Sequence, residues 1–364
     1  MKIAILGTRG IPNNYGGFEQ IAENLSLHFV QKGHEVTVYN PDEHPYHSSE
    51  WNQVRIKHIF SKETNLGIWG TLIYDYLCLK EAAKEDYDII LEMGYVPGAL
   101  FFGLKKRSGT KLVTNMDGLD WKRSKWNYAL RKFTKFCEMR AVKLSDLMIS
   151  DNLGIKKYII ENYNKSSRFI PYGAELFYSP KEEFLKKFDL EVYKYYMIVA
   201  RLEPENNIEM ILDGYVGSKS SEPFAVIGNH TTKYGIYLKN KYRDHTNIKF
   251  LGGIYQDNTL NSLRWFSKLY FHGHSVGGTN PSLLEAMACN AYIAAHDNPF
   301  NKNVVQQDAF YFRNSEEISD LINSYTERFR DQFIKNNREK IKTAYNWEKV
   351  SEQYLDAFES VLRN

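Results

Sequence analysis

The sequence predicts an α/β protein built from two doubly wound parallel-sheet domains facing an interdomain cleft. Three observations carry this. Short apolar runs alternate with longer amphipathic ones, the alternation restarts near residue 194, and 364 residues suit two domains better than one. The expected boundaries are 1–174 for the first domain, 175–193 for a linker, 194–345 for the second domain and 346–364 for a C-terminal helix.

Lys2–Leu6 reads as a buried parallel strand, because its apolar run leaves no polar face for water. A loop rich in Gly and Pro follows. Phe18–Lys32 reads as a helix, since Ile21, Leu25 and Phe29 recur at spacing four; Gly33 ends it and Glu35–Tyr39 is the next strand. That βαβ unit sets a parallel sheet with helices on both faces. Asp88–Glu92, Lys111–Asn115, Leu147–Ser150 and Arg168–Pro171 continue the first domain as strands. The segment 175–193 is polar and carries no strand pattern, hence the linker. Tyr195–Ala200 restarts the pattern with a strand, and Ile208–Tyr215 opens a helix. Pro223–Gly228, Ile248–Leu251, Leu269–Phe271 and Ala291–Ala295 are strands, and Pro281–Ala288 is a helix. The last helix, Trp347–Leu362, lines up Val350, Tyr354, Ala357, Phe358 and Val361, and is expected to pack back toward the first domain.

Composition narrows the class. Hydrophobic residues at 43% and charged residues at 25% fit a globular chain and exclude a disordered one. Net charge is only +3, yet between Lys105 and Lys143 there are twelve Lys/Arg against three acids, so the basic surface belongs to one region. Cys78, Cys137 and Cys289 have neither zinc spacing nor an even count, as expected of a reducing cytosol. The opening MKIAILGTRG is too short and too soon interrupted by Arg9 for a signal peptide. No run approaches the roughly 18 apolar residues of a membrane span, so membrane contact is expected to be peripheral.

Four motifs carry chemistry. Gly7–Gln20 (GTRGIPNNYGGFEQ) joins a strand to a helix, and its glycines, Gly16 and Gly17 included, permit close backbone approach; it is equally readable as a tight turn. Its spacing is not that of a dinucleotide-binding loop, which disfavours a nicotinamide-dependent dehydrogenase. His272–Ala288 (HGHSVGGTNPSLLEAMA) feeds a glycine loop into a helix whose first-turn N–H groups and Ser282 hydroxyl suit a diphosphate. Glu285 there would face sugar or ribose hydroxyls, or simply complement the helix dipole. Arg201 ends a strand at the cleft edge, where a guanidinium binds phosphate or merely meets solvent. Asp117 follows a strand directly and is either a cleft carboxylate or the first residue of an Asp-Gly turn.

The stretch after it mixes basic and aromatic residues. Trp121, Lys122, Arg123, Lys125, Trp126, Arg131 and Lys132 fit an anionic membrane surface, and equally a solvated basic helix; nothing else suggests nucleic acid. Asp86-Tyr87-Asp88 spells a metal-binding pattern but precedes a strand, so it reads as that strand's start. His272 and His274 straddle Gly273 and read as donor contacts or packing, with no metal expected.

Taken together, GTRGIPNNYGGFEQ, NMDGLDWKR, IPYGAE, RLEPENN, HGHSVGGTNPSLLEAMA and YNWEKV resemble glycosyltransferase family 4 over nearly the whole chain. The subgroup they look like contains bacterial β-1,4-rhamnosyltransferases of capsule or rhamnan synthesis. That resemblance implies the GT-B fold, with an acceptor-side Rossmann-like domain followed by a nucleotide-sugar-binding one. It implies a retaining, metal-independent transfer of L-rhamnose from dTDP-L-rhamnose to an undecaprenyl-diphosphate-linked sugar, without a cofactor, in the cytoplasm at the inner membrane face. Asp117, Arg201 and Glu285 are the implied catalytic residues. The implied donor contacts are Gly16, Gly17, Arg201, Asn206, His274, Gly278, Thr279, Asn280, Ser282, Leu283 and Glu285.

Two positions depart from the family. The first Glu of its E-x7-E motif is Gly277 here, and the Lys usually five residues after the arginine is Asn206. The alternatives are the same fold with a UDP-hexose donor, or a non-catalytic sugar-nucleotide-binding component of a polysaccharide assembly complex.

Overall fold

The computed structural model describes residues 1–14, 16–62, 67–104, 109–116, 118–122, 126–254 and 256–363. Two compact units emerge. The first holds the described residues of 1–122, 126–172 and 347 onward, and the second holds 173–346.

In the first unit the elements run β1 (Lys2–Leu6), α1 (Gly17–Gln31), β2 (Glu35–Pro41), β3 (Glu50–Trp51), β4 (Val54–Ile59), α2 (Ile68–Ala82), β5 (Ile89–Met93), β6 (Lys111–Asn115), α3 (Tyr128–Leu144), β7 (Leu147–Ser150), α4 (Leu153–Tyr163) and β8 (Arg168–Phe169). They form one sheet ordered β3-β4-β2-β1-β5-β6-β7-β8, parallel except for the β3–β4 pair. Strand β1 lies centrally, with Ile3 in register with Val36 on one side and Ile89 on the other. Both its faces are covered, so Ile3, Ala4 and Ile5 are completely buried. Asp88 accepts a 2.7 Å hydrogen bond from Lys2 N, so this acid starts a strand. The β3–β4 hairpin was not legible in the sequence. Its two turn residues, Asn52 and Gln53, both take positive φ, a turn usually signalled by Asn-Gly.

The C-terminal helix, Trp347–Leu362, belongs to this unit. Its Phe358 meets Phe29 of α1 edge-on at 5.7 Å, and its Tyr354 hydroxyl accepts from Asn115 Nδ2 at 3.2 Å. Burying the two rings alone is worth about 1.5–3 kcal/mol each.

The second unit runs β9 (Tyr196–Val199), α5 (Ile208–Ser218), β10 (Phe224–Ile227), α6 (Lys233–Lys241), β11 (Ile248–Gly252), α7 (Asp257–Trp265), β12 (Leu269–His272), α8 (Pro281–Ala288), β13 (Ile293–His296), α9 (Pro299–Val305), β14 (Phe310–Phe312), α10 (Ser315–Asn323) and α11 (Arg330–Thr343). Its all-parallel sheet is ordered β11-β10-β9-β12-β13-β14 around a core of Tyr196, Phe224, Phe271 and Phe312. The polar segment 175–193 lies inside this unit. Glu182–Phe188 coils into 3-10 turns that bury Leu185, and Lys181 N donates to Ser262 Oγ. Arg338 of α11 donates to Phe177 O and lies 4.9 Å from the Tyr178 ring. Polar composition hid these few anchors.

Candidate functional site

In a doubly wound sheet, ligands bind beyond the strand carboxyl ends where the strand order reverses. In the second unit that point lies between β9 and β12, because the chain builds outward from β9 to β11 on one side and from β12 to β14 on the other. Arg201 follows β9 and is exposed. His274 follows β12. Burial and the Arg201 charge beside it lower the His274 imidazole to about 3, so the ring is neutral at working pH. The structure thus brings Arg201 and His274 together at the reversal point.

The loops carrying them are locked to each other. Asn206 Nδ2 donates to Arg201 O at 2.6 Å, Ser275 donates to Glu205 O through both its N (3.1 Å) and its Oγ (2.7 Å), and Asn207 Nδ2 donates to Gly273 O at 2.8 Å. Asn206 is buried, and one of its amide protons holds the Arg201 loop. A second clamp comes from α9, where Asn298 and Asn301 both donate to His274 O, at 2.9 and 3.0 Å.

Helix α8 starts at the same edge. Pro281 occupies its first position and Asn280 is its N-cap. The Asn280 Oδ1 accepts from Ser282 N at 3.0 Å and from Ser282 Oγ at 2.9 Å. Leu283 N bonds Asn280 O, and the Leu283 side chain is core. Thr279 is buried and Gly278 half-buried. The helix end therefore presents amides that Asn280 already caps, with the Ser282 hydroxyl proton turned to the same cap. Glu285, one turn further on, forms an ion pair at 2.5 Å with Arg264 of α7, a guanidinium sealed in the interior.

Sequence reasoning missed Arg264, the Asn298–Asn301 clamp and the state of His272. His272 is wholly buried, and neither of its ring nitrogens has a partner among the described residues. Burial, then His274 and His296, holds it well below the usual imidazole range. The signal available was composition: Arg264 and His272 are polar residues inside otherwise apolar runs. A groove lined by Pro204, Asn207, Glu209, Asp213, Tyr234 and Asn314 opens on α5. Its carboxylates already bond Lys241, Tyr237 and Tyr242, which makes it a poor competitor for a ligand.

In the first unit the order reverses between β1 and β5. There Gly16 caps α1 in extended geometry and Gly17 is the helix's first residue. Glu19 accepts from Arg9 N at 2.7 Å, which ties the glycine loop to that helix. Glu92 of β5 is 2% exposed, with its carboxyl against Gly7 and Gly98; burial, then Asp75, raises it far above the usual carboxyl range. Asp117, Arg123 and Lys125 lie outside the described residues.

In the remaining basic stretch, Trp121 is half-buried, 6.4 Å from the Tyr158 ring, with Lys122 and Lys135 over it. Trp126 is half-buried. Arg131 and Lys132 are exposed, as are Tyr128 at 72%, Phe136 and Met139 on α3. The aromatic surface offered to solvent is thus on α3 rather than at the two tryptophans. No helix of the described residues is long and apolar enough to cross a membrane.

Residues 180–340 match the family described as "Glycosyl transferases group 1", and residues 1–175 match a "Domain of unknown function (DUF1972)". No curated protein matches the chain. Among solved structures, sucrose-phosphate synthase from Thermosynechococcus elongatus superposes with a TM-score of 0.81 at 15% identity, covering 100% of this chain and 99% of that one. Anabaena HepE in complex with UDP and glucose gives 0.76 at 16% identity, covering 99% and 100%. WaaG, a glycosyltransferase involved in lipopolysaccharide biosynthesis, gives 0.71 at 11% identity, covering 98% and 99%.

Proposed function

Proceeding from a GT-B chain whose second unit carries a glycosyl transferases group 1 domain, we propose a retaining, metal-independent glycosyltransferase that moves L-rhamnose from dTDP-L-rhamnose to an undecaprenyl-diphosphate-linked sugar. The observation that carries the proposal is the convergence of Arg201, neutral His274 and the amide end of α8 on the reversal point of one sheet. Rhamnose and the lipid-linked acceptor rest on the motif resemblance, with Gly277 and Asn206 as the changes that accompany a 6-deoxy sugar.

In the reaction, the bond from the sugar's C1 to the phosphate oxygen breaks, and its electron pair stays on the leaving diphosphate. The acceptor oxygen bonds C1 on the same face, and its proton passes to that phosphate oxygen. Arg201 and the α8 amides stabilise the growing charge, with phosphate oxygens taking over the place of Asn280 Oδ1 as acceptor. His274, uncharged, donates or accepts a hydrogen bond without adding a competing charge. Glu285 faces the hydroxyls of the nucleotide's pentose. Asp117, by the motif resemblance, orients the acceptor hydroxyl. The cations Arg131 and Lys132, with Tyr128, meet an anionic membrane surface, which keeps the enzyme at the cytoplasmic face.

The test is a donor screen of the purified chain with a lipid-linked GlcNAc or glucose acceptor and EDTA throughout. Turnover with dTDP-rhamnose above that with UDP-glucose, UDP-GlcNAc and GDP-mannose is expected. Preference for a UDP-hexose replaces the donor; the UDP-glucose-bound HepE structure favours that second reading. Loss of activity in EDTA overturns the metal-free step. Absence of transfer and hydrolysis with every donor overturns the enzyme.

A further inference from the structure

We infer that Arg264 is a positioning residue, a sealed guanidinium that fixes the orientation of Glu285 toward the pentose of the donor nucleotide; this rests on the donor site proposed above.

Three observations carry the inference. The first is the asymmetry of the ion pair. The Arg264 side chain is 2% exposed and that of Glu285 is 30% exposed, with Nη2 and Oε2 2.5 Å apart. The cation is closed in from behind while the anion opens outward. The second is how little else holds the guanidinium. Nη1 donates to Asn261 Oδ1 at 2.7 Å, and Nε has no partner among the described residues. Its surroundings are Tyr270 and Cys289, both buried. Burial opposes its charge first, and Glu285 is the chief group that restores it. A buried cation with one carboxylate and an idle donor is a weak stabiliser, because apolar residues of equal volume often serve the fold as well or better.

The third is placement. Glu285 lies three residues after Ser282, so its carboxylate sits on the same helix face, about 4.5 Å along the axis from the amide end. A nucleoside diphosphate held by that end brings its pentose hydroxyls alongside the next turn. A hydroxyl recognises an ionised carboxylate whose direction is fixed, and fixing the direction is what a buried guanidinium behind it does.

The experiment is a double-mutant cycle on the full chain, read as calorimetric affinity for UDP and for dTDP, with urea midpoints measured alongside. Glu285→Gln is expected to weaken both nucleotides about tenfold, the loss of one charge-assisted hydrogen bond. Arg264→Gln is expected to weaken them by a similar factor, and the double variant no further than Glu285→Gln alone. Arg264→Lys, which keeps the charge, recovers most of the affinity.

Affinity unchanged in Arg264→Gln while Glu285→Gln is impaired overturns the positioning role and leaves the Glu285 contact standing. Additive effects in the double variant also overturn it. Unchanged affinity in Glu285→Gln overturns the pentose contact itself. If Arg264→Gln does not fold, the same cycle with Arg264→Met, which removes the charge and keeps an apolar stem in the buried site, decides. A loss seen with Glu285 in place but absent in the Glu285→Gln background supports the role, and equal losses in both backgrounds overturn it. A purely structural arginine lowers the urea midpoint and leaves the affinity of the folded protein unchanged.

Discussion

Replacing Gly273 by alanine tests whether the Arg201 loop is wedged against β12. A Cβ on Gly273 would fall 2.1 Å from the backbone oxygen of Asn206 and 2.8 Å from Ile211 Cδ1. Ordinary carbon–oxygen contact needs more than about 3 Å, so one side must move by about an ångström. The φ of Gly273 lies outside the left-handed region, so this overlap is the whole effect. Overpacking against side chains that can yield costs about 1–3 kcal/mol. Here the obstacle is a carbonyl in a loop held by Asn206, Asn207 and Ser275, so the expected cost is at the top of that range. With a slope of about 2–3 kcal/mol/M, the urea midpoint of the second unit should fall by roughly 1 M. Affinity for UDP and dTDP should fall with it, because Arg201 rides on the displaced loop. Gly103→Ala is the control, since nothing lies within 4 Å of its Cβ. A Gly273→Ala protein that unfolds and binds as wild type does would refute the wedge.

Arg201→Ala should cut turnover by roughly 10²–10³ with an unchanged urea midpoint, because the side chain is exposed and acts on developing charge; wild-type kinetics would remove it from the site. His272 is held neutral, its folded pKa well below the ordinary 6.5. The unfolded chain therefore takes up the proton first as pH falls through 6.5, and stability present above that pH is lost below it, by about 1.4 kcal/mol per pH unit. Urea midpoints at pH 7 and 5 should differ by less in His272→Gln than in wild type. Glu92 has the opposite sign: its raised folded pKa gives stability present below the ordinary 4.5 and lost as pH rises through the folded value. Glu92→Gln should accordingly raise the midpoint at pH 8 and leave it nearly unchanged at pH 4.

Much of the fold was legible because parallel strands covered on both faces carry short, mostly apolar runs. KIAIL and LMIS were placed to the residue for that reason, and KLVTN was placed as well although it buries Thr114 and Asn115. The β3–β4 hairpin and β14 were not: β3 has two residues and β14 three, too few for a period, and the six-residue β4 places Arg55, Lys57 and His58 between its apolar positions. At the site, Arg201 and the start of α8 followed from strand ends and capping chemistry. What could not be read was which way polar groups turn. Asn206 looked like a ligand contact in sequence, yet its amide closes the Arg201 loop. Glu285 read as a hydroxyl contact or a helix-dipole acid, yet it has a buried guanidinium behind it, from Arg264 21 residues earlier. Such pairings are set by the tertiary approach of α7 to α8, which no local spacing encodes.

Gly277, which stands where the motif that the sequence resembles has its first glutamate, is better explained as an adapted loop than as a decayed one. Its φ is +132, a region side-chain-bearing residues rarely enter, and no atom lies within 4 Å of the Cβ it lacks. Had the position simply lost a glutamate, its backbone would still be one that glutamate can hold. The open space means a side chain would meet no clash, so the backbone alone forbids it. Gly277→Glu should therefore distort the loop between Ser275, bonded to Glu205 O, and Asn280, the cap of α8. The expected result is weaker dTDP and UDP binding and a midpoint lower by about 1–2 kcal/mol of stability, with no gain in turnover for any UDP-hexose. A Gly277→Glu enzyme that folds normally and acquires UDP-glucose transfer would show the opposite: a loop still shaped for the glutamate, and a donor preference set by that one side chain.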